Sequence, residues 1–232
     1  MGSAPRIIPR ETRGPLLRAP IAWLPILAAG FCIVGAATRI AELGPLSAMM
    51  AGHILVMNAL APLLALSLAS RSRGRLRFLE HGRALAAASI LQIAVLWSVH
   101  APPVTGNLSG AAHLPLQAIL FGTALLFWSA VFSQRGLHRW RSLLALLITG
   151  KLFCLLGVLL VFAPRLLYAP LSHGHDVPAI SPMLADQQFA GLMMIVACPL
   201  SYVLAAILIA ARWLDDISQN EVGPYLVRNG DR

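Results

Sequence analysis

Charge is scarce in this chain: 12% of its 232 residues are Asp, Glu, Lys or Arg, and lysine occurs once, at Lys151. A soluble domain carries roughly twice that share, and with 58% of the residues hydrophobic too little polar surface remains to cover a water-exposed fold. Cysteine is rare as well. Cys32, Cys154 and Cys198 all fall in apolar stretches without a CxxC neighbour, which argues against a disulfide framework or a zinc ribbon and for small buried hydrophobes. There is no phosphate-binding glycine loop, no HExxH, no internal repeat and no low-complexity tract, which weighs against nucleotide chemistry, zinc proteolysis and an inverted-repeat transporter.

What fills the chain instead is a succession of apolar runs, over residues 21–38, 46–70, 84–101, 113–132, 142–163 and 189–212. Each is long enough to cross a hydrocarbon core near 30 Å thick at about 1.5 Å per residue. The expected fold is therefore all-α: a polytopic membrane bundle of about six transmembrane helices over residues 21–214. An N-terminal arm (1–20) and a tail (215–232) flank it, and no room is left for a further soluble domain. The first run reads as a retained helix rather than a cleaved leader, because no small-x-small site closes it before Arg39. Pro102 and Pro103 are placed to end the third helix, Pro164 and Pro170 follow the fifth, and Ser181-Pro182 suits the start of the sixth. Pro62 and Pro199 fall inside spans, where neighbouring groups must satisfy the carbonyl each one frees.

The formal charge of +9 comes from arginines dispersed through short loops, a pattern of membrane topology rather than of nucleic-acid binding. Arg6, Arg10, Arg13 and Arg18 precede the first run. Arg71, Arg73, Arg75, Arg77 and Arg83 fill the second connection, Arg135, Arg139 and Arg141 the fourth, and Arg212, Arg228 and Arg232 the tail. The opposite side receives Arg39 and Arg165 alone. Arginine-rich short loops stay in the cytoplasm, so both termini are expected there, in a multi-pass protein of the inner (plasma) membrane.

Histidine is distributed just as unevenly. His81 and His138 fall in the arginine-rich loops, whereas His53, His100, His113, His173 and His175 fall on or near the outer half. An imidazole two turns into a span is costly unless it faces the bundle interior or binds something. Met49 and Met57 stand four residues to either side of His53, with Met50 near that face. Thioether and imidazole together suit Cu(I); the alternative is a packing stripe in which Met fills gaps and His53 bonds a neighbour. His100 and His113 bracket an uncharged outer loop and can reach the same vestibule. The last outer loop adds His173, His175 and Asp176, whose HxH spacing is a weaker ligand pattern, and Asp186, for which interaction with the dipole at its own helix start is the default. Lys151, well inside the fifth span, is a candidate for organising the bundle through Asn58 or carbonyls, or for proton or anion movement. Haem b would need His pairs at matched depths, and the inner half offers none within a span. Ser109 with His113 in one loop is a weak basis for an intramembrane serine protease.

Several segments carry a resemblance. LLGVLLVFAPRLLYAP (155–170), SPMLADQQFAGLMMIV (181–196), ARWL (211–214), HILVMNALAPLLAL from His53 and LLFWSAVF (125–132) resemble the multi-span CtaG-type cytochrome c oxidase assembly factors of the Gram-positive type. The resemblance covers roughly 46–214, and the DQQ block at Asp186, Gln187 and Gln188 is its most specific part. It implies a role in maturing a haem–copper oxidase, with copper held for the catalytic subunit and received from a periplasmic donor. It carries over His53, the His100 and His113 region, and Asp186 with Gln187 and Gln188. This chain departs from the pattern at Met49, where the family tends to have a second His, and at Trp97-Ser-Val-His100-Ala-Pro, where it tends to read Trp-His-x-Pro.

These readings combine into one expectation: a non-enzymatic assembly factor whose outer face binds Cu(I) through Met49, His53, Met57, His100 and His113, with His173, His175 and Asp186 as further candidates. Its partners would be the oxidase catalytic subunit, a copper donor and the lipid bilayer. A metal-free scaffold for subunit insertion and a copper transporter are the alternatives. Few ligands line the inner half, which disfavours the transporter.

Overall fold

The computed structural model describes residues 44–71, 77–101, 113–168 and 180–229. The apolar run at 21–38, His173 and His175 lie outside them. All regular structure among the described residues is helical: α1 (Pro45–Leu55), a π-helical turn (Val56–Leu60) that continues without a break into α2 (Ala61–Arg71), then α3 (Gly82–Val99), α4 (His113–Ser133), α5 (Arg139–Phe162) and α6 (Ile180–Asn229). Counting α1, the π turn and α2 as one rod, five helices are long and apolar enough to cross a membrane, in agreement with the all-α membrane bundle expected over this part of the chain. The last helix is longer than its apolar run at both ends, starting at Ile180 and continuing through the stretch read as a tail.

Local signals set the helix ends. Pro45 occupies the first turn of α1 behind Gly44, whose backbone is extended; a missing N–H is harmless there. α5 stops at Phe162 because Ala163 precedes Pro164 and is pushed into an extended conformation (ψ 122°). α3 ends on His100, whose N–H still reaches the Leu96 carbonyl at 3.1 Å.

Neighbouring helices close a ring: α5 packs on α6, α6 on α1, α2 on α4, α4 on α3, and α3 back on α5. The α5–α6 joint is the closest. A Cβ added at Gly191 would lie 2.7 Å from the Gly157 carbonyl oxygen, and one at Gly157 would lie 2.9 Å from that of Gly191, so only paired glycines permit this crossing. Large apolar side chains such as Ile90, Leu147, Leu159, Val196 and Ile207 point outward and stay exposed, as expected of a surface that meets lipid. Lys151 is also on the exposed face of α5; the role within the bundle considered from its depth in the span does not match that direction.

Inside the ring, Phe127, Trp128, Phe153 and Tyr202 are buried and the other three rings gather around Tyr202, with Trp128 and Tyr202 ring centroids 5.2 Å apart and Phe153 and Tyr202 5.6 Å apart. At the arginine-bearing end, Gln134 donates to the Leu79 carbonyl (2.9 Å) and Ser142 to that of Val131 (2.8 Å). Ion pairs Arg139–Asp216 (2.7 Å) and Arg135–Glu80 (3.7 Å) join the helices there.

The π turn has an identifiable cause. Ala61 sends its N–H back five residues, to the Val56 carbonyl. In that register the next donor, to the Met57 carbonyl, would be the N–H of residue 62, which is proline and has none. The indole N–H of Trp128 supplies the bond instead, at 3.0 Å. A neighbouring group thus satisfies the carbonyl freed at Pro62, as a span in hydrocarbon requires.

Candidate soft-donor centre

A small cavity of about 20 Å³ lies between α1, the π turn, α3, α5 and α6, one helical turn beyond the aromatic cluster toward the end opposite the arginines. Its walls carry Met50, His53, Met57, Asn58, His100, Met194 and Cys198, with Ile54, Leu96 and Phe153 completing the lining. The volume holds a single water-sized occupant.

His100 shows how the donors are directed. Its Nδ1 is 2.7 Å from the Leu96 carbonyl oxygen, a contact that places the proton on Nδ1. In the neutral ring Nε2 is therefore a lone-pair donor, and it sits 3.3 Å from the Met50 thioether sulfur. Two electron-pair donors face one another at the edge of the cavity without a proton between them, an arrangement that a soft cation would bridge. The His53 ring meets that of His100 edge-on, with centroids 5.6 Å apart and planes at 74°. Both imidazoles are buried, His53 at 6% exposure and His100 at 4%. Across the cavity Asn58 donates through Nδ2 to the Cys198 sulfur at 3.4 Å, while its Oδ1 is buried with no hydrogen-bond partner among the described residues.

The end of the bundle opposite the arginines is strapped down by the residues of the DQQ block. The Asp186 carboxylate accepts the N–H groups of Leu46 (2.9 Å) and Ser47 (3.1 Å), and Ser47 Oγ donates back to the Asp186 carbonyl (3.0 Å). Asp186 thereby caps α1 from a different helix, satisfying donors that no side chain of α1 reaches. A Cβ at Gly44 would collide with this carboxylate, so glycine is needed for the approach. Gln187 is buried; its Oε1 accepts the Leu167 N–H (2.8 Å) and its Nε2 donates to the Leu160 and Arg165 carbonyls (3.3 Å each). Tyr168 then donates its hydroxyl to the His100 carbonyl at 2.8 Å. Burial pushes the Tyr168 phenol up to about 12, so it stays a donor throughout the physiological range.

Of the sequence candidates, His53, His100 and Met57 line the cavity. Met49 is half-buried and packs against the core beside it, and Met50 takes the cavity position. His113 starts α4, with its side chain outside the described set, and Asp186 is engaged at the α1 cap. Met194 and Cys198, four residues apart on α6, were not among the candidates; that i, i+4 spacing of two soft donors is the sequence signal for them. Among the described residues no three His, Cys, Asp or Glu side chains converge as a metal cluster. The donor set of this cavity owes its character to methionine.

A multi-span helical protein with a buried thioether–imidazole centre near one end of its bundle is the class that fold and site define. The chain matches the family model of the cytochrome c oxidase caa3 assembly factor (Caa3_CtaG) over residues 6–216. It belongs to that family, and its partner is accordingly an oxidase under assembly. Comparison with curated proteins and with solved structures finds no match.

Proposed function

We propose that this assembly factor holds Cu(I) as cargo in the soft-donor cavity, at the outer face of the inner membrane, and releases it to the catalytic subunit of a haem–copper oxidase. The observation that carries the reading is the pair of unprotonated donors, His100 Nε2 and Met50 Sδ, 3.3 Å apart on a cavity the size of one small occupant. Thioether, thiol and imidazole favour Cu(I) over harder cations. Met50 and His100 would hold it, with His53, Met57, Met194 and Cys198 within the same wall. The protein is not an enzyme in this reading: it orients donors, excludes water and yields the ion to a partner.

The outward orientation rests on the arginine asymmetry, since the cavity lies at the end away from those loops. The aromatic cluster of Phe127, Trp128, Phe153 and Tyr202 separates the cavity from the arginine-bearing end, which favours delivery on one side over transport across the membrane. The Asp186 and Gln187 contacts favour a second reading, a metal-free scaffold, because the most specific block of the resemblance builds structure rather than lining the cavity.

The test is Cu(I) binding by the purified chain in competition with a chromophoric chelator, together with copper per oxidase in membranes of cells carrying each variant. Met50→Leu and His100→Ala should each weaken Cu(I) binding by roughly tenfold or more and yield copper-poor oxidase. If both variants bind as the parent does, the cavity is not the copper site. Copper-poor oxidase in the gene deletion but not in either variant would establish the scaffold reading, and copper uptake into vesicles would establish transport.

A further inference from the structure

The outside of the ring carries a second, unrelated concavity between α3 and α5, the ring neighbours that touch least. Its volume is about 730 Å³. The two ends of this groove differ sharply in chemistry. At the arginine-bearing end it is lined by His81, Arg83, Trp140 and Arg141; from there Leu85, Ala86, Ile90 and Ile93 of α3 face Leu144, Ala145 and Ile148 of α5. Residues 85–93 span roughly 12 Å along the bundle, so the apolar part extends well into the hydrocarbon. Ser89, the polar side chain along the α3 wall, already donates to the Leu85 carbonyl at 2.9 Å.

No described carboxylate compensates the cations at the mouth. Glu80 pairs with Arg135 and Asp216 with Arg139, and among the described residues neither Arg83 nor Arg141 has a carboxylate partner. The Arg141 guanidinium lies across Gly82, where an added Cβ would come within 2.7 Å of its Nη1. That glycine lets a guanidinium rest over the opening turn of α3, beside Arg83. Two guanidiniums with no acid between them call for an anion, and an apolar channel leading away from them calls for a hydrocarbon chain. Trp140 beside Arg141 is the side chain expected at the headgroup level of a bilayer.

We propose that this groove is a binding site for one anionic phospholipid, its phosphate between Arg83 and Arg141 and an acyl chain along the α3–α5 channel. The lipid fills the weakest joint of the ring and ties the N-terminal ends of α3 and α5 together. Zwitterionic lipid fits the channel equally but meets the two arginines with no net charge.

Native mass spectrometry of the full chain, delipidated in detergent and titrated with phosphatidylglycerol, cardiolipin or phosphatidylcholine, tests this. Phosphatidylglycerol and cardiolipin should be retained and should raise the thermal midpoint, while phosphatidylcholine and inorganic phosphate do neither. Each arginine near an anionic headgroup contributes roughly fivefold, so Arg83→Gln with Arg141→Gln should weaken retention about 30-fold. Ala86→Trp keeps both charges, fills the apolar channel at an exposed position, and should weaken it as well, which covers the case of a misfolded arginine variant. Equal retention of phosphatidylglycerol and phosphatidylcholine, displacement by inorganic phosphate, or unchanged binding in Ala86→Trp would each overturn the proposal. So would efficient crosslinking of Cys32 to a cysteine introduced at Ile90, which would mean that residues 21–38 fill the groove.

Discussion

Replacing Trp128 with Phe, and Pro62 with Ala, isolates the bond that makes the π turn tolerable. Trp128→Phe removes the indole N–H from the Met57 carbonyl and also trims a ring that stacks on Phe132 at 5.5 Å and leans on Tyr202 at 5.2 Å. The single substitution therefore mixes two losses. Trp128 is 1% exposed, so no water takes over the carbonyl, and the orphaned group alone should cost about 1–2 kcal/mol. Pro62→Ala restores an N–H at the position from which the Met57 carbonyl can be reached within the helix. In that background Trp128→Phe should cost only its packing share, and the double-mutant cycle should return a coupling of about 1–2 kcal/mol. Reversible unfolding in mixed micelles, followed by helical circular dichroism, gives the four stabilities required. A coupling within about 0.3 kcal/mol of zero would mean that Pro62 is not why Met57 needs Trp128.

Three further outcomes are expected. Gly157→Ala or Gly191→Ala should destabilise the bundle by about 1–3 kcal/mol in the same unfolding assay, since each Cβ would fall within 3 Å of a facing backbone oxygen, whereas Gly122→Ala, with open space around it, should be neutral or stabilising. Asp186→Ala strips both caps from the first turn of α1 and should cost about 1–3 kcal/mol, with faster hydrogen exchange at Leu46 and Ser47; unchanged exchange there would show that the carboxylate is not the cap. Tyr168 is an acid whose pKa is raised by burial to about 12, so above pH 10 the unfolded chain loses its proton first. Stability should be flat in this respect below pH 10 and fall between pH 10 and 12, and Tyr168→Phe should remove that decline relative to the parent.

The spans were legible because a run of apolar residues of sufficient length is itself the signal, and the five described helices fall where those runs lie. Position along the bundle was legible too: His53 and His100, grouped in sequence away from the arginine-rich loops, meet in the cavity. Direction around each helix was not. These spans are apolar nearly all round, so no polar face indicates which side is inward, and Met49 and Met50 are both close enough to His53 in helical spacing to pass. The position of α6 relative to α1 favours Met50. Lys151 shows the same gap, its depth readable and its outward direction not. Met194 and Cys198 required knowing that α6 lies opposite α1, a long-range fact. Asp186 and Gln187, polar residues that bond across helices, shorten the apolar run of α6, yet Ser181-Pro182 marks its start within a residue of Ile180.

The π turn adds one residue to a helix that would otherwise repeat every 3.6, which rotates everything after it by roughly 100° relative to everything before. The rod therefore runs in two phases, the first turned toward α6 and the second toward α4. Substitutions that tune how α2 seats on α4 leave the azimuth of Met50 and His53 untouched. Deleting one residue between Val56 and Leu60 would merge the two phases and force a choice between the donor cavity and the α4 seam.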